Sequence, residues 1–166
     1  MNAPARDAQH LLQQWFDQFG DGMYGYIYTL VGNRADTDDV MQSVFLALVR
    51  MGDKVYGIHY PKTYVYRAAR HAALRVLAER QRQPQSLEEL LFDPPDKSGG
   101  SPVDVEQLNW ALRQLPQPDR EVVMLKIYDA MTFREIAGVT GSLLPTIAAR
   151  YWRALRKLRT LLEKCP

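Results

Sequence analysis

Residues 132–162 read TFREIAGVTGSLLPTIAARYWRALRKLRTLL, and this stretch decides the fold. Thr132 and Glu135 stand three apart just ahead of an apolar run, the spacing of a capping box that opens a helix. A short helix over Thr132–Val139 then meets Thr140-Gly141-Ser142. A longer helix follows to about Leu162, with Ser142 as its expected N-cap and Pro145 in its first turn. Ile147, Tyr151, Leu155, Leu158 and Leu162 recur at helical spacing and form its expected buried seam. Arg150, Arg153 and Lys157 share another face, flanked by Arg156 and Arg159, with Glu163 the only acid nearby. A short helix, a glycine-containing turn and a longer arginine-rich helix make the sequence form of a helix-turn-helix. A basic face on the second helix can meet phosphates and base edges. A solvated helix face has the same composition, so the assignment rests on the whole pattern and not on the charges.

Outward from this stretch, punctuation divides the rest of the chain. Val105–Leu115 ends at Pro116, and Asp119–Ile127 begins after Pro118, a residue suited to a helix start. Before them, Pro84, Pro94, Pro95, Pro102 and Gly99-Gly100 stop regular structure, while Glu88, Glu89, Asp93 and Asp96 keep residues 84–104 solvated. One short turn of helix over Ser86–Leu91 is compatible with the Ser86/Glu89 spacing. Upstream, Val40, Met41, Val44, Phe45, Leu48 and Val49 form an apolar stripe that follows Thr37-Asp38-Asp39 and closes at Gly52. Lys62–Arg82, after Pro61, is again helical, with Val65, Ala68, Ala69, Ala72, Leu74 and Leu77 available for burial. Leu11, Trp15, Phe19, Met23, Ile27 and Leu30 predict one or two more helices, broken near Gly20–Gly22. No stretch alternates as a strand does. The sequence predicts an all-α protein with two small helical domains, residues 1–83 and 105–166, joined by a flexible linker at 84–104.

Bulk properties narrow the function classes. The chain has 166 residues, 46% hydrophobic and 24% charged, with a net charge of +2, too small to argue for nucleic acid by itself. The single cysteine, Cys165, cannot form an internal disulfide, and no Cys/His cluster has the spacing of a metal site. His10, His59 and His71 are scattered, and neither a nucleophile–base constellation nor a glycine-rich phosphate loop is present. No cofactor and no catalytic residue is therefore expected. No run of about eighteen apolar residues spans a membrane. Met1–His10 is polar, unlike a signal peptide, so a cytoplasmic protein is expected.

Two further constellations bear on partners. Lys62, Arg67, Arg70, Arg75, Arg80 and Arg82 are interleaved with Tyr60, Tyr64, Tyr66 and His71. Rings stack on unpaired bases while arginines neutralise the backbone, the combination used by single-strand binders. Core tyrosines beside solvated arginines would read the same way. The acidic run Asp36–Asp39 leads into an amphipathic helix with Gln42 on its polar side, which is either a capped helix start or a docking face for a basic partner.

Taken together, these residues resemble a known family. DTDDVMQSVFLALVR at 36–50 and YPKTYVYRAARHAALRVLAERQR at 60–82 look like region 2 of the extracytoplasmic-function (ECF) sigma factors of bacterial RNA polymerase. The stretch from Leu112 to Leu162 looks like their region 4, with Leu115-Pro116, Arg120, Leu125, Glu135-Ile136-Ala137, Gly141, Thr146, Arg150 and Arg153 in the family's places. The resemblance implies that Asp36, Asp39, Gln42 and Phe45 dock on the clamp helices of the largest polymerase subunits. It implies that Tyr64, Arg67, Arg70 and His71 open and capture the −10 element. It implies that Thr146, Ala149, Arg150 and Arg153, with Lys157 beside them, read the −35 element, and that region 4 holds the polymerase flap. An anti-sigma factor is a common further partner in the family. Departures stand at His71 (usually Asn), Arg75 (usually Asp), Tyr64 (commonly Trp), Pro145 (usually a small residue) and Ala148-Ala149 (usually a basic residue and Ser). Two other readings of the residues remain open: a plain helix-turn-helix regulator, and a sigma-like protein that sequesters a regulator without initiating transcription.

Overall fold

The computed structural model describes residues 3–82 and 102–164, with side chains from Asp7 and from Val105. The expected linker with its Ser86–Leu91 turn, and Cys165, lie outside the described residues, apart from the linker's last positions. Within them every regular element is helical: α1 Ala3–Val31, α2 Arg34–Met51, α3 Pro61–Gln81, α4 Pro102–Arg113, α5 Gln117–Ile127, α6 Phe133–Thr140 and α7 Leu144–Glu163, with a 3₁₀ helix at Gly52–Gly57. No helix among the described residues is long and apolar enough to cross a membrane. The chain divides into two compact units, residues 1–90 and 91–166.

In the first unit α1, α2 and α3 pack pairwise, and the 3₁₀ helix lies against α1 and α2. The expected break at Gly20–Gly22 does not occur: α1 runs through it as one helix of 29 residues. Each interior glycine costs about 1 kcal/mol of helix propensity. Burial of Met23, Tyr26, Ile27 and Val31 on the following turns outweighs it. Tyr26 stacks on Tyr66 of α3 with ring centroids 5.5 Å apart, both rings fully buried. Val40, Val44 and Leu48, spaced by four, turn α2 inward, whereas Phe45 and Val49 of the expected apolar stripe face outward.

The start of α2 lies three residues earlier than the acidic run indicates. Asn33 is the N-cap: its Oδ1 accepts from the Asp36 amide at 2.8 Å and its Nδ2 donates to Asp36 Oδ2 at 3.0 Å. Thr37 is inside the first turn, buried, its hydroxyl donating to the Asn33 carbonyl. Gly52 does close the helix, with φ 54° and ψ −130°, a conformation that glycine alone adopts freely.

In the second unit α7 packs on α4, α5 and α6 around Ala111, Leu112, Leu115, Val123, Met124, Ala154 and Leu158. The capping box forms as expected: the Glu135 amide donates to Thr132 Oγ1, and the Thr132 amide to Glu135 Oε2. Gly141 ends α6 in the left-handed region at φ 70°, its amide bonded to the Ala137 carbonyl. The N-cap of α7 is Leu143 and not Ser142, because Pro145 at the second helical position sets the start and Leu143 is the last extended residue. Of the expected α7 seam, Ile147 and Leu158 are buried, Tyr151 and Leu155 half-buried, and Leu162 exposed; Ala154 completes it.

Candidate nucleic-acid and protein interfaces

The outward face of α2 is built from positions 39, 42, 45, 46 and 49, the side opposite Val40, Val44 and Leu48. Asp38, Asp39 and Gln42 are exposed, and below them Phe45 (41% exposed), Leu46 and Val49 present bare apolar surface. Phe45 is held edge-on against Phe16 of α1, centroids 5.0 Å apart, so its orientation is fixed although it faces solvent. Asp38 accepts a hydrogen bond from the Tyr24 hydroxyl at 3.1 Å; burial first, then that carboxylate, pushes the Tyr24 pKa up.

Asp36 is placed differently from the other docking candidates. Its half-buried carboxylate pairs with Arg80 of α3, whose Nη1 also donates to the Val31 carbonyl at 2.8 Å. Arg80 therefore ties the ends of α1 and α3 to the start of α2. The sequence brings Asp39, Gln42 and Phe45 to one open face and turns Asp36 to the inside.

On α3, Tyr64, Arg67 and His71 are exposed on one face, while Arg70 is half-buried and has partners of its own. The Tyr64 hydroxyl donates to Met51 Sδ at 3.4 Å. Tyr66 belongs to the core and not to this face. Tyr60, 78% exposed, and Tyr56 extend the aromatic surface ahead of the helix. Tyr60, one of the aromatic residues interleaved with the arginines in the sequence, stands one turn before Tyr64.

In the second unit α6, Gly141 and α7 form the helix-turn-helix. Thr146, Ala149, Arg153 and Lys157 are exposed and Arg150 half-buried. Arg150 Nη1 lies 3.3 Å from Ser142 Oγ. Arg153 gives its Nε and Nη2 to the two oxygens of the buried Asp119 on α5, at 2.9 and 2.6 Å. Hydrogen bonding to that carboxylate, then its charge, raises the Arg153 pKa further above its usual value. Burial alone lowers that of Arg120. Leu143 and Leu144, outside any periodic apolar pattern, stand 76% and 44% exposed at the head of α7. No group of three His, Cys, Asp or Glu among the described residues could hold a metal ion.

This geometry has known counterparts. The family model "Sigma-70 region 2" matches residues 15–83 and "Sigma-70, region 4" matches residues 106–158. The chain is similar to the ECF RNA polymerase sigma factor BldN of Streptomyces coelicolor, 30% identical over 154 residues. That match takes in 89% of this chain and spans 58% of the length of the relative. RNA polymerase sigma factor SigV of Bacillus subtilis is 23% identical, with 85% of this chain and 84% of SigV covered. The solved structure of CnrH with the cytosolic domain of CnrY has the same fold, at TM-score 0.67 and 20% identity, covering 98% and 96% of the two chains. RpoE of Bartonella quintana with the anti-sigma factor NepR shares it at TM-score 0.70 and 17% identity, covering 97% and 99%.

Proposed function

Since the chain belongs to the sigma-70 family of RNA polymerase sigma factors, in its ECF branch, we propose a division of labour among its surfaces. The open face of α2, with Asp39, Gln42 and Phe45, docks on the clamp helices of the polymerase core, and Leu46 and Val49 widen the contact. Asp36 contributes to that docking by fixing the start of α2 through Arg80. Tyr64, Arg67, Arg70 and His71 of α3, extended by Tyr60, receive the −10 element as its strands part. Thr146, Ala149, Arg150, Arg153 and Lys157 of α7 meet the −35 element, and the unit around α4 and α5 holds the flap.

Residues 1–83 thus serve as region 2 and 105–166 as region 4, with 84–104 as the tether. Docking both domains on one polymerase lets each make a weak DNA contact, because the second contact becomes intramolecular. RNA synthesis belongs to the polymerase, and the chain supplies no catalytic group. It works in the cytoplasm. CnrY and NepR occupy the related chains named above, and an anti-sigma factor of that kind is the partner we propose for the unbound state.

The observation that carries this reading is the exposed acidic and apolar face of α2, with Phe45 braced on Phe16. A regulator that binds duplex DNA as a symmetric dimer could cover the apolar part with its own copy, but the exposed acids beside it suit a basic partner. Run-off transcription with core polymerase on a pool of genomic promoter fragments tests it. Transcripts that depend on the protein are expected. A polymerase complex that yields none would mean a sequestering role, and no complex at all would mean a plain regulator.

A further inference from the structure

The leading edge of α7 is apolar to a degree unusual for a helix that meets DNA. Between Leu143 and Ala149 the only side chain able to hydrogen-bond is Thr146; the others are Leu143, Leu144, Pro145, Ile147, Ala148 and Ala149. Ile147 is buried, which leaves two leucines, a proline and the alanines toward the outside. Leu143 is 76% exposed and Leu144 44%, large apolar surface left open among the described residues.

The two arginines farther along that could read bases are each partly held from within the unit. Recognition of guanine uses the fork of an arginine, two N–H groups side by side. In Arg153 the Nε/Nη2 edge is taken by Asp119, leaving the outer Nη1/Nη2 edge. Arg150 reaches back to Ser142. Arg156, Lys157 and Arg159 are exposed more than three turns farther along α7, whose one acid, Glu163, pairs with Arg159. Those cations can bind the phosphates of a duplex against which α7 lies. The place of the edge, at the head of the second helix of the helix-turn-helix, makes duplex DNA what covers it, and the edge, Thr146 apart, can satisfy only the apolar feature of the groove, the thymine methyl group.

Resting on the reading of α7 as the −35 helix, we infer that Leu143 and Leu144 read thymine methyl groups and set the upstream sequence preference of this protein. The cations farther along α7 supply affinity without sequence information. The leucines supply selectivity without hydrogen bonds.

Thymine and uracil pair identically and differ only in the methyl group, which makes the test direct. Full-length protein bound to core polymerase selects duplexes from a pool randomised in the upstream element. The winners are remade with uracil for thymine in that element and their affinities compared. Each contacted methyl removed is expected to weaken binding about fourfold, the equivalent of one buried carbon. The double variant L143S/L144S, whose exposed positions leave folding intact, is expected to bind the thymine duplex more weakly and to ignore the change to uracil. Equal affinity of the unaltered protein for both duplexes overturns the inference while leaving the sigma assignment standing. So does a double variant that loses polymerase in the absence of DNA, since the leucines would then cover a protein surface. A complex that selects no duplex at all overturns both the inference and the assignment of α7.

Discussion

Asp119 accepts both the Nε and the Nη2 hydrogen bonds of Arg153, at 2.9 and 2.6 Å, across 34 residues of chain. The carboxylate is buried at the start of α5 and the arginine lies on the open side of α7, so the pair fastens the recognition helix to its support. An arginine held this way is oriented by Asp119 and keeps its outer Nη1/Nη2 edge, which we assign to a phosphate. We expect R153A to weaken promoter binding evenly across upstream sequences, with the slope of log K against log salt falling by about 0.9, the share of one phosphate. Competition among promoter variants checks it. A preference relaxed at one base pair would show that the outer Nη1/Nη2 edge of Arg153 reads that base while Asp119 holds the other edge.

The two acids of the expected docking set should separate. Asp39 is exposed, and D39K should weaken polymerase binding roughly five- to tenfold with the melting temperature unchanged. Asp36 anchors Arg80, so D36K should lower both binding and melting. R80A removes the same half-buried pair and the bond to Val31 from the other side, and should cost about 1–2 kcal/mol. Pull-downs and thermal melts of the four proteins decide it. Equal melting of D36K and D39K would place Asp36 on the open face with Asp39.

What the sequence made legible is local. The Thr132/Glu135 box, Gly141 and the closure at Gly52 are contests between a side chain and backbone groups a few residues away, and all three were readable from spacing. The Gly20–Gly22 break was not, because the packing of Met23, Tyr26 and Ile27 that overrides it comes from α2 and α3. The same holds at the sites. Periodicity put Asp36 beside Asp39, and Arg153 beside Arg150. Their partners, Arg80 and Asp119, stand 44 and 34 residues away and leave no mark on a local pattern. Exposure of Leu143 and Leu144, at the head of α7, was hidden because neither belongs to the apolar periodicity of the helix that follows.

The turn between α5 and α6 carries a strained residue. Ala130 is the one non-glycine residue with positive φ among those described, at 52°. The left-handed region costs an L-residue about 1–2 kcal/mol, of which glycine's extra freedom in the unfolded chain returns about 0.5–1. A130G should therefore stabilise the protein by about 0.5–1 kcal/mol, seen as a higher denaturant midpoint at unchanged slope. A lower midpoint would mean that the Ala130 methyl group makes contacts worth more than the strain.

Tyr60 and Tyr66 sit six residues apart in one aromatic stretch and should behave in opposite ways. Tyr66 is fully buried and stacked on Tyr26, so Y66A opens a cavity in the first unit and should cost about 3–5 kcal/mol. Tyr60 is 78% exposed, and Y60A should leave stability within about 0.5 kcal/mol of the parent. If its ring stacks on a base freed from the duplex, its loss should remove about 1–3 kcal/mol from the open complex alone. The measurement is fluorescence of 2-aminopurine placed through the −10 element, with duplex binding followed in parallel. For Y60A, duplex binding should persist while the fluorescence rise of strand opening is reduced or slowed. An unchanged rise would take Tyr60 out of the strand-capturing surface and leave that role to Tyr64, Arg67 and His71.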